Sequence, residues 1–134
     1  MSDAPGGEGA GAHADLEAFL AALALDAPFE AHERLEAAWR RLGDPLARVD
    51  AAQALIQVAA AYVHRARGND VGARHLARQA AERLERPCPP AADAALSRSG
   101  VERATLARRL RALPPDPAAW PPALAVVAPG RGEG

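Results

Sequence analysis

Lysine is absent from this chain, so its 16 cationic side chains are all arginine. An all-arginine basic set beside abundant Ala, Gly and Pro is what GC-rich coding produces. A single cysteine, Cys88, excludes an internal disulfide and fits a reducing compartment. Aromatic residues make up only 4% of the chain, which leaves a modest, Ala-rich core to be built. The net charge of −1 gives no whole-chain electrostatic footprint for nucleic acid or an anionic membrane. No apolar run reaches spanning length and no basic-then-apolar leader opens the sequence, so a soluble, cytoplasmic protein without a membrane partner is expected. Strand-like alternation, hairpin turns, internal repeats and phosphate-cradling Gly loops are all missing as well.

What is present is helical punctuation. The 134 residues suffice for one domain. Residues 1–12 hold no large apolar side chain, and 114–134 are rich in proline, so both ends are expected to be flexible tails on a bundle spanning 13–113. A first helix is expected from about Asp15 to Leu25, with Leu16, Phe19, Leu20 and Leu23 in one stripe. Asp26-Ala27-Pro28 opens a second, running to about Leu42. Gly43-Asp44-Pro45 ends that helix and starts a third, which continues to about Arg67. Gly68-Asn69-Asp70 separates the third helix from a fourth, which ends near Arg86 with Ala73, Leu76, Ala77, Ala80 and Leu84 on one face. Pro87-Cys88-Pro89-Pro90 breaks the pattern. Ser99 and Glu102 then have capping-box spacing before a last helix whose inward residues are Leu106, Leu110 and Leu113. The expected fold is all-α, a small antiparallel bundle of about five helices.

One polar constellation stands out. On the second helix, His32 and Glu36 lie four apart on the border of the Leu35, Trp39 and Leu42 face, with Glu33 further out. On the third helix, Gln53, Gln57 and His64 share a narrow stripe, with Asp50 at its edge. Gln57 sits in the most apolar stretch of the chain. A buried amide without a partner costs about 1–3 kcal/mol, so Gln57 is expected to meet His32 and Glu36 across the two helices.

The residues around this constellation form two long motifs. Phe29-Glu30-Ala31-His32-Glu33, Leu35-Glu36 and Trp39-Arg40 make the first. The second runs from Gln53 to His64 and continues as Arg67-Gly68-Asn69 and Gly72-Ala73. Together, over about Leu16 to Leu84, they resemble a bacterial and archaeal family known as domain of unknown function three-hundred-and-nine. The resemblance implies a small all-helical, self-associating fold and carries no established activity. Ala54 stands where that family usually has Gly, and Pro28 where it often has a bulkier side chain.

Two functional readings follow. The first is a non-enzymatic helical protein, a homodimer by expectation, whose His/Glu/Gln cluster is structural or binds a small ligand or partner. The second is a metal-dependent hydrolase in which His32, Glu36 and His64 hold a divalent ion and Glu33 serves as base. The motif lacks the second His of a zinc protease and the paired Glu-x-x-His of a di-iron bundle, which favours the first reading, with no cofactor. A nucleic-acid role would need a one-sided arginine patch, and Arg74, Arg78 and Arg86 alternate with Glu82 and Glu85 instead. Cys88, flanked by prolines, has no catalytic partner in sequence, and His13, His75, Ser97 and Ser99 have no chemical role in either reading.

Overall fold

The computed structural model describes residues 4–39 and 50–130, with side chains described over 14–37 and 50–130. Among these residues every regular element is helical: α1 (Ala4–Ala24), α2 (Pro28–Trp39), α3 (Asp50–Ala66), α4 (Asp70–Leu84), α5 (Pro90–Arg98), α6 (Arg103–Arg111) and α7 (Ala123–Val127). A single 3₁₀ turn at Pro117–Ala119 precedes α7. The protein is all-α, with more helices than the five expected. None of them is long and apolar enough to cross a membrane.

The α1 stripe of Leu16, Phe19, Leu20 and Leu23 is fully buried, as its spacing predicts. A Schellman closure ends the helix: Ala27 donates to the Ala22 carbonyl and Asp26 to that of Leu23, with Asp26 itself left-handed at φ 56°. Pro28 then opens α2 where its missing N–H costs nothing. With so short a connection, α1 and α2 pack as an antiparallel pair. The same closure ends α3, where Asn69 donates to the His64 carbonyl and Gly68 supplies φ 79°. The boundary expected at Gly43-Asp44-Pro45 lies outside the described residues.

α3 and α4 form the second antiparallel pair and the most extensive helix contact. Both faces are lined with alanine: Ala51, Ala54, Ala59 and Ala61 on one helix, Ala73, Ala77, Ala80 and Ala81 on the other, all buried. Short side chains let the two backbones approach closely, and Leu55, Val58 and Leu84 fill the remaining space. α2 packs on α3, and α6 on α4. A single hydrophobic cluster runs through these elements.

The first helix begins at Ala4, ahead of the Asp15 expected from its apolar stripe. Two expectations need correction. The Ser99–Glu102 capping box does not form. Ser99 closes the unexpected helix α5, while the Glu102 side chain accepts from Ser97 Oγ at 3.1 Å and leaves α6 without a side-chain cap.

The largest correction is the proline-rich tail. It docks on the bundle as a strap, α7 reaching α1, α3 and α6. Trp120, Val126, Val127 and Ala128 are buried, and Trp120 Nε1 donates to the Pro114 carbonyl at 2.9 Å. The Trp120 ring meets Tyr62 at 5.4 Å between centroids, tilted by 56°. Tyr62 Oη donates to the Pro121 carbonyl at 2.6 Å, and Arg65 Nε to that of Pro117 at 2.8 Å. Prolines withdraw backbone donors from the strap, so it is held by apolar burial and by its carbonyls.

Candidate functional site

His32 projects from α2 with its ring partly exposed and its Nδ1 atom buried. One helical turn brings Glu36 Oε1 to 3.9 Å from that nitrogen, and Glu33 Oε2 approaches it at 3.5 Å. Neither distance makes a hydrogen bond, and Nδ1 has no hydrogen-bond partner among the described residues. The three ligand-type atoms of His32, Glu33 and Glu36 all lie within 4.8 Å of one another. Two bonds of about 2.0–2.1 Å from one tetrahedral ion hold their donor atoms roughly 3.4 Å apart, so the two His32 spacings suit a shared cation.

The other members of the expected constellation go elsewhere. Gln57 Nε2 donates to Gln79 Oε1 at 3.2 Å, so its partner is on α4 and not on α2. α3 is flanked by both helices, and the Gln57 side of its stripe faces α4. Gln53 is half-buried and belongs to neither contact. His64 is drawn into the α3–α4 turn, where Asn69 Nδ2 sits 2.9 Å from His64 Nδ1. Asn69 Oδ1 already accepts from the Gly72 N–H at 3.0 Å, which fixes the amide orientation. Nδ2 must therefore be the donor and His64 Nδ1 the acceptor. With that nitrogen engaged and its ring outside the His32 grouping, His64 is not the third ligand expected from sequence.

Sequence reasoning missed a structural anchor, Arg103. Its Nε and Nη2 form a fork on Asp93 at 2.8 and 3.3 Å, and its Nη1 donates to the Leu84 and Arg86 carbonyls at 2.6 and 2.7 Å. One guanidinium thus closes the C-terminal end of α4 and fastens α5 to it. The fork holds the Asp93 carboxyl below its usual range. Asp93 also stands beside Cys88, and burial together with that carboxylate pushes the thiol up, away from a reactive thiolate. Asp50 pairs with Arg83 at 3.0 Å and with the exposed Arg86 at 3.2 Å, which ties the end of α4 to the start of α3. The only signal for these contacts was the presence of acid–arginine pairs far apart in sequence.

The widest groove described, about 480 Å³, lies between α4, α6 and the start of the strap. Ala77, Leu110 and Leu113 floor it, and Arg74, Arg78 and Arg111 rim it. It is remote in composition from the His32 grouping, which lines none of the described grooves.

No curated protein and no solved structure matches the chain. A family model does, over residues 16–76, the stretch that runs from the second half of α1 to the first turns of α4 and holds both motifs and the whole of the His32 grouping. The model matched over that stretch is DUF309, a domain of unknown function, which is the resemblance expected from the two motifs.

Proposed function

We propose that this is a non-enzymatic helical protein that binds one divalent transition ion through His32, Glu33 and Glu36. The observation that carries the reading is the convergence of three ligand-type atoms around an imidazole nitrogen that is buried and without a hydrogen bond. A cation with nitrogen and carboxylate affinity, zinc above all, satisfies that nitrogen and neutralises both carboxylates. The ligands come from one helix and lie clear of the described grooves, which supports a binding or structural role over hydrolysis of a substrate.

Zinc titration of untagged protein, followed by equilibrium dialysis and by thermal melting, tests this. One equivalent bound, a raised melting temperature, loss of both in His32→Ala and retention of both in His64→Ala are expected. Binding that survives His32→Ala, or no binding by the wild type, overturns the reading.

Self-association belongs to the same proposal. Leu25 and Phe29 at the α1–α2 turn are 79% and 57% exposed and offer apolar surface to a second copy, whereas the strap covers the Tyr62 ring. Light scattering over a concentration series checks it, and a monomer mass at tens of micromolar sinks it.

A further inference from the structure

We infer that the groove between α4 and α6 is a binding site for a small organic phosphate or carboxylate with an apolar body. Its two surfaces differ in kind. The floor of Ala77, Leu110 and Leu113 is aliphatic, while the rim carries three guanidinium groups. A cavity of about 480 Å³ is in the range that holds a small molecule rather than a bare ion.

The rim arginines are unequally engaged. Arg78 makes no hydrogen bond or ion pair among the described residues, although it stands beside an apolar floor. Arg74, one helical turn away, reaches only the Pro115 carbonyl, at a long 3.4 Å. Arg111 is held by Glu85, at the end of α4, through Nε at 2.6 Å and Nη2 at 2.8 Å. That fork orients the guanidinium and leaves its Nη1 free to donate. Glu82 and Glu85 act on the Arg111 side, while Arg74 and Arg78 hold no carboxylate among the described residues, so two guanidinium groups and one oriented donor face the groove.

Planar guanidinium forks match phosphate and carboxylate oxygens, and i,i+4 spacing on α4 places two of them on one side of a single anionic group. The apolar floor then accepts the ligand's body. The strap's first residues, Pro114 and Pro115, wall the groove, so ligand binding and docking of the strap share a surface.

The test is calorimetric titration of the full chain with three probes: phenyl phosphate, inorganic phosphate and phenol. Phenyl phosphate should bind one to one, and at least tenfold more tightly than either inorganic phosphate or phenol, since each lacks one half of the recognised ligand. The double variant Arg74→Gln/Arg78→Gln should weaken phenyl phosphate at least tenfold, with helical circular dichroism and zinc binding unchanged. Arg98→Gln, on α5 and away from the groove, should leave it unaffected. Equal binding by the double variant, no binding of phenyl phosphate at millimolar concentration, or inorganic phosphate binding as tightly as phenyl phosphate would each overturn the assignment. Zinc binding at α2 is independent of all three outcomes.

Discussion

Asn69 does three jobs within one turn. It caps α4 through its side-chain oxygen, donates its backbone N–H to the His64 carbonyl at the end of α3, and orients His64 through its amide nitrogen. Gly72 makes room for this: a Cβ there would lie 2.5 Å from Asn69 Nδ2 and 2.9 Å from its Cγ. Gly72→Ala gains about 1 kcal/mol of helix propensity and loses about as much by displacing the cap, so its net effect on stability should be near zero. Asn69→Ala should cost about 1 kcal/mol. Once Asn69 is Ala, however, adding Gly72→Ala should recover about 1 kcal/mol, because no cap remains to be displaced. Chemical denaturation of the four proteins of this cycle measures the coupling, and additive effects would contradict it.

At the scale of the elements, a single arginine decides whether α5 stays attached. Arg103→Ala removes a carboxylate fork and two carbonyl contacts at once, and should cost roughly 2–4 kcal/mol. Arg103→Lys should recover little of this, since one ammonium cannot span Asp93 and two carbonyls together. Urea unfolding of both variants checks it; full rescue by Lys would show that charge alone matters.

The long helices were legible in the sequence because their apolar stripes are continuous, as Leu16 to Leu23 and Ala73 to Leu84 show. α5 was not, since Ala92 and Leu96 are its only buried residues and prolines flank it. The His32–Glu36 pairing could be read from spacing within α2. The partner of Gln57 could not, because a stripe on α3 does not say which of two neighbouring helices it faces.

Over the whole molecule, the strap is what periodicity hides. Its Trp120 and Val126–Val127 pack against residues more than fifty positions earlier, and proline composition alone reads as disorder. Truncation after Pro114 should remove several kcal/mol of apolar burial and lower the melting temperature by on the order of 10–20 °C. Scanning calorimetry decides this, and a shift of only a few degrees would mean the strap adds nothing. The strap also gives stability an alkaline limit. Burial pushes the Tyr62 hydroxyl from 10.0 up to about 12, with Arg65 pulling weakly the other way. The folded chain therefore keeps a proton that the unfolded chain releases. This contribution is complete below about pH 10 and is lost as pH rises toward about 12. Tyr62→Phe should flatten that part of the urea-midpoint profile, and an unchanged slope would refute the account.

The ties that fasten strap and helix ends to the bundle are guanidinium-to-carbonyl contacts, made by Arg65, Arg74 and Arg103. Acetylation, the usual enzymatic eraser of surface charge on lysine, finds no side chain to act on in this protein. Methylation of arginine at its terminal nitrogens would act differently, keeping the charge while blocking the Nη1–H groups that reach Pro115, Leu84 and Arg86. The architecture is thus indifferent to the commoner covalent mark and vulnerable to the rarer one, which could unfasten the strap without altering the charge of the protein.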